Sequence, residues 1–150
     1  MNANRPGSDA TAEEVAEAAA GTFLRGIQLS DEGGFVEFDT IYPGWYGGRT
    51  VHIHMMVTVD GTAGESYEGG QVTHIGQLFF DDATSDLVFE TEAYAGRPED
   101  ERTLNEEDGI LGEHEDEPGF MLELTPLSAD RVEDGFVGVI PIGVDSSASA

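Results

Sequence analysis

The chain has 150 residues, with 31 acidic side chains against six basic ones and a formal net charge of -25 at pH 7. A surface of that sign repels polyanions, which argues against a nucleic-acid binder and against a protein seated on an anionic membrane. The absence of cysteine removes disulfides, a thiolate nucleophile and a thiolate metal site from consideration.

Residues 1–10 are small and polar and read as disordered. Thr11-Ala12-Glu13-Glu14 has the form of a capping box, and the alanine-rich stretch behind it predicts a short helix to Ala20. Strands are predicted near residues 22–29, 35–38, 51–59, 76–80, 86–90, 119–125 and 135–144, with glycine and proline at almost every joint. Gly96–Gly119 is acidic and poor in apolar residues and reads as a surface excursion. Ser146–Ala150 reads as a frayed tail. Many short strands separated by turn signals predict an all-β protein, an antiparallel β-sandwich with a short N-terminal helix and a long acidic loop. The predicted division is a leader over 1–21, a sandwich over 22–145 and a tail over 146–150.

The most informative segment is Pro43-Gly-Trp-Tyr-Gly-Gly-Arg-Thr-Val-His-Ile-His54. Val51, Ile53, Met55, Val57 and Val59 form one apolar face at period two, and His52, His54, Met56 and Thr58 form the other. The aliphatic face belongs in a core, which turns the two imidazoles toward a cleft or another layer. Two histidines two residues apart on a strand can grip one metal ion, and a nearby tyrosinate, Tyr46, adds a hard anionic oxygen. That donor mix favours high-valent iron over zinc or magnesium. Arg49 has the parity of Val51 and Ile53, so it joins this site only if the strand begins after it and the Gly47-Gly48 turn sets its direction.

These residues resemble the intradiol ring-cleavage dioxygenases, the family of catechol and protocatechuate dioxygenases. The resemblance rests on Thr40-Ile-Tyr-Pro-Gly-Trp-Tyr46, Arg49 and His52-Ile-His54. It extends upstream to Arg25-Gly-Ile-Gln28 and Asp31–Phe38, and downstream to Gly76-Gln-Leu-Phe-Phe-Asp81 and Gly135–Val144, so that it covers most of the chain from Thr22 to Val144. It implies a non-haem Fe(3+) cofactor and an enzyme that cleaves catechol-type rings with O2 between the two hydroxyl-bearing carbons. On that resemblance Tyr46, His52 and His54 are metal ligands, and Tyr46 is the tyrosine that leaves the metal when substrate binds. Arg49 stands beside the substrate ring and Gln77 in the same pocket.

The family's second tyrosine ligand lies upstream of its Arg-Gly-x-Gln segment, and no tyrosine here precedes Tyr42. The expectation is a chain truncated at its N-terminus; the alternative is a variant with an incomplete iron site. Tyr42, Tyr67 and Tyr94 are the remaining phenols, each more simply a turn or packing residue. A non-catalytic transthyretin-like β-sandwich module is the competing reading. A cupin would want a glutamate soon after His-x-His, where this chain has Met55-Met-Val-Thr-Val59. A zinc hydrolase needs a third ligand that no spacing supplies.

The expected partners are a small catechol-type molecule and O2; a homo-oligomer is compatible with the sequence and not required by it. The apolar runs are too short to span a bilayer, and no signal peptide is recognised at Met1, which gives an expected cytoplasmic location. All six basic residues are arginine. An acidic surface of this density destabilises a compact state by self-repulsion, which molar salt relieves by shortening the Debye length to about 3 Å. A halophilic protein is therefore predicted: stability measured by refolding in a KCl series should rise steeply toward molar salt, and full stability at low ionic strength would count against it.

Overall fold

A computed structural model describes residues 24–64, 67–95, 102–114 and 120–147. The predicted helix over 11–20 and the end of the predicted tail lie outside the described residues. Two two-stranded sheets are present among them. β1 (His52–Ala63) pairs with β2 (Tyr67–Phe79), joined by so short a connection that only a hairpin is possible. β3 (Glu123–Pro126) pairs antiparallel with β4 (Phe136–Val139), with Glu123 opposite Val139 and Pro126 opposite Phe136. One helix of eight residues, α1 (Asp82–Phe89), follows β2. The fold is thus β-rich, with short 3₁₀ turns at Glu92–Tyr94, Asn105–Glu107, Gly112–His114 and Val132–Asp134.

The chain divides into two compact units. One comprises the residues up to Ile41 with Thr58–Gln71, and the other Tyr42–Val57 with Val72 onward. In the first, the Asp31 carboxylate accepts the amides of Gly33 and Phe35 at 2.8 and 2.9 Å and closes a turn. The arms of that turn, predicted as strands over 22–29 and 35–38, form no ladder in their described residues. Apolar alternation identifies an amphipathic segment but not a neighbour to pair with. Accordingly Leu29, Phe35 and Phe38 stand exposed. In the distal hairpin Gly70 has φ +75°, and a Cβ there would meet the Val59 carbonyl at 2.5 Å, so only glycine fits.

The second unit holds the core. Val51, Phe79, Phe80, Val88 and Leu111 are buried. Around them Tyr42 leans on Phe80, with ring centroids 4.7 Å apart, and Trp45 on Phe89 at 4.4 Å. The end of β2 is tied to the chain before β3: the Leu122 amide donates to the Phe79 carbonyl at 2.9 Å, and Phe79 bridges Met121.

The segment predicted as a strand over 86–90 is helical. The reason lies upstream of the apolar triplet that suggested it. The Asp81 carboxylate accepts the Thr84 amide at 2.8 Å and the Thr84 hydroxyl at 2.5 Å, and Asp82 adds negative charge at the first turn. The strand predicted at 76–80 is the end of the longer β2. Those predicted over 119–125 and 135–144 pair with each other only over β3 and β4, and before β3 Met121 bridges Phe79 instead. The stretch predicted as a surface excursion over 96–119 is mostly exposed in its described part, but it sends two side chains inward. There Asp108 and Leu111 are buried.

Asp81→Ala is predicted to cost about 1 kcal/mol of stability, and Asp81→Asn much less, because asparagine also caps a helix. Urea unfolding of the two variants beside the parent checks this.

Candidate metal centre

The centre is built on a tight turn and the first residues of β1. The Arg49 amide donates to the Tyr46 carbonyl at 3.3 Å across Gly47-Gly48, and Gly48 has φ +85°. A positive φ at the third position of a β-turn alone is what a type II turn requires, and glycine meets it without strain. Thr50 and Val51 are then buried, and β1 begins at His52. Arg49 therefore precedes the strand, and the alternation that would have sent it away from the histidines does not apply to it.

His52 is 8% exposed and His54 lies open on the same face of β1. Their ring centroids are 5.0 Å apart. His52 Nδ1 lies 2.7 Å from the Thr50 carbonyl oxygen, an acceptor only, so this nitrogen carries the proton and donates. Nε2 is left with the lone pair, and it sits 3.5 Å from the Tyr46 hydroxyl. Burial drives the His52 imidazole down to about 4, partly opposed by the bond to Thr50. His54 is lowered too, first by the partial desolvation of its otherwise open ring and also by the Arg49 charge. Both rings are consequently neutral at ordinary pH, the state in which imidazole ligates.

Arg49 projects its guanidinium between two partners. Nε donates to Asp108 Oδ2 at 2.8 Å, and Nη2 donates to the Gln77 side-chain oxygen. Tyr46, Arg49, His52 and Gln77 are thus linked through side chains or adjoining backbone in one region, with His54 beside His52.

Asp108, which no sequence motif singles out, completes the site. Its side chain is fully buried. Oδ2 also accepts the Thr50 amide at 2.8 Å, and Oδ1 accepts the amides of Ile110 and Leu111 at 2.9 Å each. Burial pushes the carboxyl up, but the Arg49 guanidinium and these amides outweigh it and hold it down at about 2. Two neighbours on the same segment grip the same turn. Thr103 Oγ1 accepts the Gly48 amide at 3.0 Å, and Thr50 Oγ1 donates to Asn105 Oδ1 at 2.6 Å. The only sequence signal for this role is negative: Asp108 sits in a run of acids that otherwise reads as solvated.

Two of the other phenols are engaged elsewhere. The Tyr42 hydroxyl bonds Ser85 Oγ at 2.8 Å, and burial pushes it up to about 12. The Tyr94 hydroxyl donates to the Tyr42 carbonyl at 2.6 Å. Among the described residues no three His, Cys, Asp or Glu side chains gather as a metal-holding group. Among the described residues the Tyr46 phenol oxygen is the further donor beside the imidazole pair. The residues fit a shared ion: Tyr46 oxygen and His52 Nε2 are closer than two ligand bonds of about 2 Å reach. The His52 tautomer also leaves Nε2 unprotonated and able to ligate.

The fold and this centre define a β-rich protein with one phenol and two imidazoles at a glycine turn. Solved structures carry the assignment further. The chain is similar to an intradiol ring-cleavage dioxygenase from Tetranychus urticae, at 30% identity and a TM-score of 0.65, over 81% of this chain and 53% of that one. It is similar to a second solved dioxygenase at 30% identity and a TM-score of 0.63, over 81% of this chain and 52% of that one. No protein-family model matches the chain, and no curated protein does. The chain is similar to these dioxygenases and spans about half the length of the two structures. No described helix is long and apolar enough to cross a membrane.

One consequence concerns acid. The folded-state value of Asp108 lies below its ordinary 3.8. Its contribution is therefore complete above about pH 4 and is lost as the pH falls toward 2. A shift of this size corresponds to about 2 kcal/mol. Urea unfolding should show the parent more stable than Asp108→Asn at pH 5, with the gap closing between pH 4 and pH 2.

Proposed function

We propose that this chain carries the metal centre of an intradiol ring-cleavage dioxygenase, with non-haem Fe(3+) held by Tyr46, His52 and His54, and that it acts on catechol-type molecules with O2. In this reading the β-rich framework is the antiparallel β-sandwich expected from the sequence. The observation that carries the proposal is the approach of the Tyr46 hydroxyl to His52 Nε2 with Nδ1 tied to the Thr50 carbonyl. Ferric iron, when bound, supplies the Lewis acidity and electron demand that make a chelated catechol reactive toward O2.

The chain's own residues do the rest. His52 and His54 stay neutral and keep their lone pairs. With iron bound there, the Tyr46 oxygen would serve as a base for a catechol hydroxyl proton, which would couple substrate entry to deprotonation. Arg49 presents a fixed cation to negative charge that develops on the ring and its oxygens. Gln77 accepts from Arg49 and so turns its amide nitrogen away from the guanidinium, toward any acceptor beside it.

The second reading is a non-catalytic transthyretin-like module with an incomplete metal site. It draws support from the engagement of the Tyr42 and Tyr94 hydroxyls in packing bonds, which leaves three protein donors in view.

The two readings part on addition of ferric iron in strong KCl. A visible phenolate-to-iron absorption band should appear, vanish in Tyr46→Phe and weaken strongly in His52→Ala. Catechol should be converted to a muconate with matching O2 uptake. No band and no turnover would leave the non-catalytic module standing.

A further inference from the structure

We infer that Asp108 is the positioning residue of Arg49, and that it sets the arginine and the His52 ligand from one backbone hub, Thr50. The inference rests on the proposed part of Arg49 in the dioxygenase reading.

The Tyr46–Arg49 turn frees Arg49 from strand alternation, but a turn fixes only the backbone. A guanidinium on a flexible stem needs a partner at its head to point in one direction. Asp108 supplies it at 2.8 Å from Nε, while Gln77 takes Nη2. Two bonds at two nitrogens fix the plane of the group as well as its position.

The carboxylate itself cannot swing. Its two oxygens accept four N–H donors, three of them backbone amides, from Thr50, Ile110 and Leu111. Oδ1 serves the local loop and Oδ2 serves the site. That division separates a structural duty from a positioning one within a single side chain.

Thr50 makes the coupling. Its amide donates to Asp108, its carbonyl accepts His52 Nδ1, and its hydroxyl donates to Asn105. The segment that carries Asp108 is in turn anchored on α1. Arg102 bonds Asp82 and reaches Asp86 at 2.7 Å, and the Asn105 amide donates to Asp82 Oδ2 at 3.0 Å. The direction of the arginine is therefore set by a polar path running from α1 through residues 102–108 to the turn.

Asp108→Asn tests this at atomic detail. Asparagine keeps one carbonyl oxygen for the Ile110 and Leu111 amides, but its NH2 cannot accept from Arg49 Nε or the Thr50 amide. In the ferric protein, the phenolate-to-iron band should persist while kcat for catechol falls at least tenfold and KM changes less. The double variant with Arg49→Gln should be no slower than Arg49→Gln alone, because residues that act as a unit are not additive. A kcat within twofold of the parent, or losses that multiply, would overturn the inference. If Asp108→Asn does not fold, Arg49→Lys serves: it keeps the charge without the held Nε, and a lysine variant with parental kcat would overturn it equally.

A readout independent of iron and turnover keeps this distinct from the dioxygenase reading. By NMR, the Arg49 Nε–H should exchange at least tenfold more slowly than that of Arg131, whose side chain is exposed. Equal exchange overturns the inference even in an active enzyme. Slow exchange in a protein without turnover supports the clamp and removes the dioxygenase reading alone.

Discussion

A carboxylate with no access to water lies at the root of this structure. Burying an isolated charge is strongly unfavourable, and the group either loses its charge or recruits partners. Asp108 recruits a guanidinium and three amides, and those amides belong to the two segments that must meet. The penalty for leaving it unpaired is what fastens residues 102–111 to the Tyr46–Thr50 turn. Everything that makes the turn a site follows from the fastening: the burial of Thr50, the tautomer of His52 and the heading of Arg49.

The parts legible in the sequence were those governed by local pattern. Period-two alternation located β1, and the glycine pair located the turn. The same pattern placed His52 and His54 on one face, and the condition placed on Arg49, that the strand begin after it, is the one the chain meets. Patterns that depend on a distant partner were misread. Residues 86–90 look like a strand because Leu87, Val88 and Phe89 are contiguous and apolar, but the capping oxygen of Asp81 decides the matter from outside that window. Residues 22–29 and 35–38 alternate well enough, yet alternation does not supply a neighbouring ladder.

Asp108 marks the limit more sharply. It stands among Glu106, Glu107, Glu113 and other acids, in a chain with 31 of them. One-dimensional reading treats such a run as a solvated surface, since acids seldom enter an interior. What distinguishes Asp108 is a set of donors supplied by residues 49, 50, 110 and 111, and only the fold brings the first two to it. The likeness to solved dioxygenases at 30% identity agrees with the family that the motif around the turn and the imidazole pair resembles. The support beneath them is visible only in three dimensions.

The division of labour has a practical corollary for protein engineering. The segment 43–54 looks portable, a compact cassette of phenol, arginine and imidazoles on a turn and the start of a strand. Transplanted alone onto another β-scaffold it would bring the phenol and the imidazoles but strand the Thr50 amide and the guanidinium without their acceptor. A transferable unit has to be bipartite, with residues 102–111 carried along and a docking helix end for Arg102 to grasp.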